Sequence, residues 1–320
     1  MRHFFVLGLF AGMAGAAAAS FDLVMVMDQG TNSIHRFDGS TGAYLGDFAR
    51  GFLTGPRSFS IDRSLNRAYV ADNSGIVRMF NYNTGVHEGD LNSTMGFAQS
   101  LFAKPGGNLI SGFVFGQISE LSATTGSYLG FHNVNGIASG ASLGTTIHTT
   151  SGNLVVWTAN FSGSESAIQV TGPAIGSTQH LTSAISSNMG GYTTTTQIAM
   201  SGDLGMVVSA TGQSIQFSLN TAGTAVASYS QYSLTSSLTG PKGVAFGHGR
   251  TMYMAGQNAS NIAQGRISRG IWGTSSFTGT FGEGILINPG QMAVIAAPEP
   301  GSLIALGLGA VALLRRRRAR

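Results

Sequence analysis

Residues 55–85 read GPRSFSIDRSLNRAYVADNSGIVRMFNYNTG. Three strand-like pieces, GPRSFSID, AYVADN and VRMFNYNTG, are separated by polar, turn-forming residues. The third ends in Asn-Thr-Gly ahead of another short stretch, which is a strand–turn–strand hairpin signal. The same ending recurs as IHRFDGSTG (Ile34–Gly42), ISELSATTG (Ile118–Gly126), IQVTG (Ile168–Gly172) and IQFSLNTAG (Ile215–Gly223). The closing glycines at 42, 85, 126, 172 and 223 lie 43, 41, 46 and 51 residues apart. Upstream of them, VMVMDQ (Val24–Gln29), LVVWTAN (Leu154–Asn160), MVVSAT (Met206–Thr211) and MYMAGQ (Met252–Gln257) repeat the AYVADN pattern of an apolar strand ending in a polar turn. Before most of these lies one more strand: GFAQSLFAK, NGIASGASL, TQIAMS or GPKGVAFG. Each unit thus holds four short strands in about 40–55 residues.

Four strands at this period are the pattern of a β-propeller blade. The Gly55-Pro56 start recurs at Gly240-Pro241 and as Asn288-Pro289 in NPGQMAVIA, a single strand with no partner after it. The body meanwhile begins near Phe21 with the second strand of a unit and no first strand before it. Joining the two completes one blade from both ends of the chain and removes the free sheet edges. First strands then start near residues 56, 96, 136, 191, 241 and 289. The expectation is an all-β, six-bladed propeller with this velcro closure. Seven blades are the alternative, because Ala159 to Thr196 is long and poorly patterned, and a β-sandwich pair would not need the repeat. The pattern around Pro56 to Gly85 resembles NHL-type or related propeller repeats.

The composition fits many turns. Of 320 residues, 47 are Gly and only 9% are charged, so hydroxyls and amides replace salt bridges at the surface. The sequence pI of 9.6 comes from the ends: Arg315, Arg316, Arg317, Arg318, Arg320 and Arg2 are six of the 17 basic residues. Between Phe21 and Ala297 there are 11 Lys and Arg against 12 Asp and Glu, a net charge of −1 with no basic stripe. Nucleic-acid binding needs clustered cations and is not expected. The absence of Cys removes disulfides, Cys-zinc sites and Cys nucleophiles together.

Both ends read as targeting segments. Arg2, the apolar stretch Phe4 to Ala14 and the small residues Ala17, Ala18 and Ala19 before Ser20 match a secretory signal peptide. Cleavage is expected after Ala19, with Ala17, Ala19 and Ser20 defining the site. The expected organisation is a signal peptide over 1–19, the propeller over 20–296 and a sorting signal over 297–320. That last segment reads APEPGSLIALGLGAVALLRRRRAR. Pro298 and Pro300 keep Glu299 in an extended stretch. Ser302 to Leu314 would span roughly 20 Å as a helix, short of the ~30 Å hydrocarbon core. Arg315, Arg316, Arg317 and Arg318 lock its end on the cytoplasmic side and snorkel to lengthen it.

This order of triplet, apolar run and arginine cluster resembles the PEP-CTERM sorting signal of Gram-negative bacteria that make exopolysaccharide. The resemblance implies export through the Sec translocon and a transient inner-membrane anchor. It further implies recognition by an exosortase, cleavage near Pro298-Glu299-Pro300, and release to the cell surface or extracellular matrix. A plain single-span anchor is the alternative. Extracellular polysaccharide or surface proteins are the partners it suggests.

Within the body no residue set stands out as chemistry. Asp28 and Asp72, with Asn160 and Gln257 at similar points, could line a rim and bind a cation, but capping their own turns is the favoured reading. No calcium-loop spacing accompanies them. The histidines at 3, 35, 87, 132, 148, 180 and 248 show no H-x-x-x-H or H-E-x-x-H spacing. His148 and His248 would have to meet across a channel to act together. SGASLG (Ser139–Gly144) lacks the following helix of a nucleophile elbow, and GGYTTTTQ (Gly190–Gln197) reads as a polar loop or edge strand. Trp157, Trp272, Tyr192, Tyr229 and Tyr232 could stack on sugars, with core packing favoured for the tryptophans. The expectation is a binding or matrix protein without catalytic, metal or cofactor residues. The alternative is an extracytoplasmic lyase or hydrolase with its site in the central channel.

Overall fold

Val24, Met25, Val26 and Met27 are all fully buried, although neighbouring side chains of a strand point to opposite faces. Val24 and Val26 pack with Tyr253, Ala255 and Ile267, while Met25 and Met27 pack with Phe59, Ala68 and Val70. The sheet carrying them is sandwiched between two others. Ala68 and Val70 in turn face one neighbour while Tyr69 and Ala71 face the next. Double burial is why the second strands read as unbroken apolar runs and not as alternating ones.

The computed structural model describes residues 22–296 apart from 92–99, 105–106, 113–116, 134–139, 161–165, 176–178, 181–196, 209–211, 234–236 and 275. The signal segment with Ala17, Ala19 and Ser20 lies outside the described residues. So does the tail with Pro298, Glu299, Pro300, Arg315, Arg316, Arg317 and Arg318, and with these segments the two terminal helices expected from the sequence.

Six four-stranded antiparallel sheets form the blades. The first contains Asp22–Asp28 (β1), Ser33–Asp38 (β2) and Tyr44–Phe48 (β3). The second contains Pro56–Asp62 (β4), Arg67–Asp72 (β5), Val77–Asn81 (β6) and His87–Leu91 (β7). Ser100–Ala103 (β8), Leu109–Gly112 (β9), Gln117–Leu121 (β10) and Tyr128–Asn133 (β11) make the third. Gly140–Ile147 (β12), Leu154–Asn160 (β13), Ser166–Thr171 (β14) and Gln179–His180 (β15) make the fourth. The fifth is Ile198–Ser201 (β16), Leu204–Val208 (β17), Gln213–Leu219 (β18) and Val226–Ser233 (β19). Leu238–Phe246 (β20), Thr251–Asn258 (β21), Asn261–Ile271 (β22) and Phe277–Phe281 (β23) form the sixth, and Pro289–Ala296 (β24) returns to the first blade as its inner strand. β24 pairs with β1 in the register Asp22↔Ala296 to Val26↔Met292. The protein is a six-bladed β-propeller closed from both ends of the chain.

Inner strands begin at Ser100, Gly140 and Ile198, later than the sequence reading near 96, 136 and 191. The second strands set these limits: Ser100 pairs with Gly112 at the end of β9, Gly140 with Asn160 at the end of β13, and Ile198 with Val207 near the end of β17. The poorly patterned stretch from Ala159 to Thr196 adds no seventh blade. It supplies β14 and β15 and part of the connection to β16.

The core is a ring of six apolar clusters, one at each blade–blade interface. A belt of polar ties joins the inner strands. Phe59 N–H donates to Gln291 Oε1 at 3.2 Å, linking β4 to β24, and Ala103 N–H donates to Ser60 Oγ at 2.9 Å, linking β8 to β4. Gln197 accepts from Val244 N–H (3.0 Å) and Met292 N–H (2.9 Å) and donates to Met292 O (2.7 Å), tying the start of β16 to both β20 and β24. Gly243 and Gly290 approach so closely that a Cβ on Gly243 would lie 2.2 Å from Gly290 O, which no side chain tolerates.

Deleting residues 289–296 from the body removes buried Met292 and leaves β1 an open edge. Each large apolar side chain lost costs about 1.5–3 kcal/mol, against a typical total of about 5–15 kcal/mol. The whole disc, not one blade, is expected to lose its cooperative melt; an unchanged melting temperature in scanning calorimetry would refute closure by β24.

Candidate functional site

Antiparallel strands alternate in direction, so hairpins between first and second strands, and between third and fourth, gather on one face of the disc. Connections between second and third strands, and from each blade to the next, gather on the other. The C-terminal halves of the inner strands surround a central channel of about 230 Å³ that opens towards the first face. Ser60, Arg63, Thr145, Thr146 and Gln197 supply its polar lining, between apolar residues such as Ile61, Phe246 and Ile295. Neither His148 nor His248 belongs to this lining.

On the opposite face, Asp28 and Asp72 sit at equivalent turns and do the same work. Asp28 accepts from Gly30 N–H at 2.7 Å and reaches across to Ile287 N–H (2.7 Å) and Asn288 N–H (3.0 Å). Asp72 accepts from Ser74 N–H at 2.9 Å and Thr54 N–H at 3.3 Å, and pairs with Arg78 at 3.1 Å. Each fully buried carboxylate therefore caps its own turn and pins the segment entering its blade's inner strand. In the sixth blade this position is Asn258, which accepts from Ser260 N–H at 2.9 Å. The sequence reading put it one residue early, at Gln257; β21 runs eight residues where β5 runs six. Asn160 ends β13, so it stands at the corresponding strand end. Among the described residues no group of three His, Asp and Glu side chains is arranged to hold a metal ion.

The third-to-fourth hairpins share one device. Asp38, Asn81 and Ser122 each cap the amides two and three residues on through the side chain, and their carbonyls accept from Gly42, Gly85 and Gly126. Those glycines have φ of 77°, 76° and 73°, the left-handed region where glycine is favoured. This is the physical content of the recurrent Ser/Thr/Asn-Gly endings.

Sequence reasoning did not find the histidine–carboxylate pairs. His148 Nε2 lies 2.7 Å from Asp203 Oδ1 and its Nδ1 lies 2.7 Å from Ser151 Oγ. His35 Nδ1 lies 2.8 Å from Asp47, with Thr31 Oγ1 2.9 Å from Nε2. Both resemble hydroxyl–imidazole–carboxylate relays. In the first, however, the histidine is fully buried, and Ser151 Oγ also accepts Asn153 N–H at 3.2 Å, so the set locks a hairpin and fastens the fourth blade to the fifth. The tyrosine of the second set, Tyr44, is hydrogen-bonded to Asp47; burial, then that bond and the carboxylate charge, push its pKa up to about 12. Trp157 is core, and Trp272 donates to Gly205 O at 3.2 Å. Tyr229 is exposed on the outer strand β19 and Tyr232 half-buried there, whereas Tyr192 lies outside the described residues.

Glu120 is a buried carboxylate held by three side chains: Asn108 Nδ2 at 2.5 Å, His132 Nε2 at 2.9 Å and Lys104 Nζ at 3.1 Å. Burial disfavours its charge, but these three bonds outweigh it and hold its pKa below the ordinary 4.5. Since the folded pKa is depressed, the stabilisation is present above the unfolded pKa and is lost as pH falls through the folded one. Glu120→Gln is expected to lower the melting temperature at pH 7 and to flatten its decline below about pH 4.5. Parallel curves for both proteins across that range would contradict this.

Both ends of the described chain lie together on the channel-mouth face, because Asp22 pairs with Ala296. Asp22 also accepts from His248 N–H at 3.0 Å, in the β20–β21 hairpin, and its carbonyl accepts from Gly39 N–H at 2.7 Å. The segment that continues from this point, residues 296–318, matches the PEP-CTERM protein-sorting motif. The chain carries a PEP-CTERM sorting signal. The motif indicates an exported protein that is membrane-anchored and sorted by an exosortase towards the cell surface. Among the described residues no helix is long and apolar enough to cross a membrane.

No curated protein matches the chain. Among solved structures, one from a nidogen/laminin complex aligns with a TM-score of 0.65 at 12% identity, covering 85% of this chain and 98% of the other. A protein of unknown function from Bacteroides caccae aligns at 0.60 and 12% identity, covering 87% and 99%. Hydrazine synthase of Kuenenia stuttgartiensis aligns at 0.51 and 12% identity, covering 75% and 71%. At this identity the likeness carries the propeller fold alone.

Proposed function

We propose that this is a non-catalytic binding or matrix protein of a Gram-negative cell surface. It is exported through Sec, held briefly in the inner membrane by residues 297–320, and released by an exosortase into an exopolysaccharide-containing matrix. The observation that carries this reading is a sorting motif joined by a few residues to a closed, rigid propeller. Hydroxyls, one amide and apolar side chains make up most of the channel lining, Arg63 is its one charged residue, and no carboxylate or histidine stands among the described lining residues, which supports binding over acid–base chemistry. The Ser151–His148–Asp203 set does not favour the lyase or hydrolase reading, because its atoms are committed to a hairpin and a blade contact. A near-neutral body suits association with polysaccharide through hydroxyls, aromatic faces and amides more than through charge.

In the producing cell, Glu299→Ala is expected to block tail removal, leaving the body in the membrane fraction. Intact-mass measurement of the mature protein reads this directly, and an unchanged C-terminus in the variant would reject the role of the triplet. The released wild-type body is expected to co-sediment with the cell's extracellular polysaccharide. A body that stays in the supernatant would reject the matrix partner while leaving the sorting reading intact.

A further inference from the structure

The place where the chain leaves the propeller restricts how the body sits while the tail is anchored. β24 runs to Ala296, paired with Asp22, and it is an inner strand, so the exit lies beside the channel mouth near the centre of its face. Six residue steps separate Ala296 from Ser302, the first residue of the uninterrupted apolar run. Even fully extended, that length reaches at most about 20 Å.

The disc is too large for so short a tether to go round. Four strands at about 4.8 Å spacing put the rim of each blade roughly 20 Å from the channel axis, and strands of this length make the disc about 20–25 Å thick. Turning the opposite face to the bilayer would need a path of roughly 40 Å, twice what the linker spans. The channel offers no short cut, because Ile61, Phe246, Gln197 and Ile295 line it and inner strands are tied across it.

We propose that in the anchored precursor the face bearing the first-to-second and third-to-fourth hairpins lies against the phospholipid surface, closing the channel mouth on that side. This inference rests on the sorting-tail reading. The face is furnished for such contact: Leu65, Val86, Ile175 and Ile271 stand on its hairpins with 40%, 61%, 44% and 47% exposure. The face with Asp28 and Asp72 then points away from the membrane, and a ligand reaches the precursor from there.

The chain has no cysteine, so single reporters need no background removal. Full-length protein carrying Leu65→Cys or Val86→Cys on one face, or Ile287→Cys or Ile262→Cys on the other, would be labelled with bimane. It would then be reconstituted in phosphatidylethanolamine–phosphatidylglycerol vesicles containing a headgroup-nitroxide lipid. Quenching at positions 65 and 86 is expected to exceed that at 287 and 262 several-fold. Protein that floats with the vesicles but quenches equally at the four positions, or more strongly at 287 and 262, would overturn the orientation alone. Protein that does not float would overturn the anchoring reading and the orientation with it.

Discussion

Closure of the ring by β24 is the constraint on which the rest of the structure depends. Each blade buries both faces, so no blade has a core of its own; each of the six apolar clusters is shared between two neighbours. Without β24 the first blade loses its inner strand, and Met292 no longer fills the cluster it shares with Phe37 and Tyr253. The polar belt has the same logic. Gln291 and Gln197 satisfy backbone donors of strands that belong to other blades, and a buried N–H left unpaired costs about 1–3 kcal/mol. Apolar packing holds blades together, while these amides set how far apart the inner strands stand.

The scarcity of charge follows from how the turns are stabilised. Asp28, Asp62 and Asp72 are fully buried and each accepts from amides of its own turn, with Asp72 also paired to Arg78. Asn81, Ser122 and Asn258 perform the same capping without a charge. A propeller needs many tight turns, and Asx and hydroxyl caps meet that need locally. Exposed ion pairs would contribute only about 0–1 kcal/mol each, so a body built this way can remain near neutral.

Much of this was legible in the sequence because repetition multiplies weak signals. One Asn-Thr-Gly is a common turn; the recurrence at Gly42, Gly85, Gly126 and Gly223 with paired apolar runs is an architecture. The orphan QMAVIA strand disclosed the closure because nothing followed it with which it could pair. The capping role of Asp28 and Asp72 followed from residue type and position. The one-residue error at Gln257 came from strand length: β21 is longer than β5, and composition does not mark where it ends. The ties between His148 and Asp203 and between Gln197 and Met292 join residues 55 and 95 apart. Such pairs have no local signature, since the ring and not the chain brings them together.

The same closure that stabilises the disc also decides where its tail emerges. Successive strands of a blade run in opposite directions, so a chain that contributes one C-terminal strand leaves from the face where first strands end. A C-terminal contribution of two strands would have reversed the exit and carried the tail to the face of Asp28 and Asp72. With one strand, β24, the described chain begins at Asp22 and ends at Ala296 side by side on that face. Under the proposed anchoring, strand polarity and the short linker together would set the attitude of the disc to the membrane.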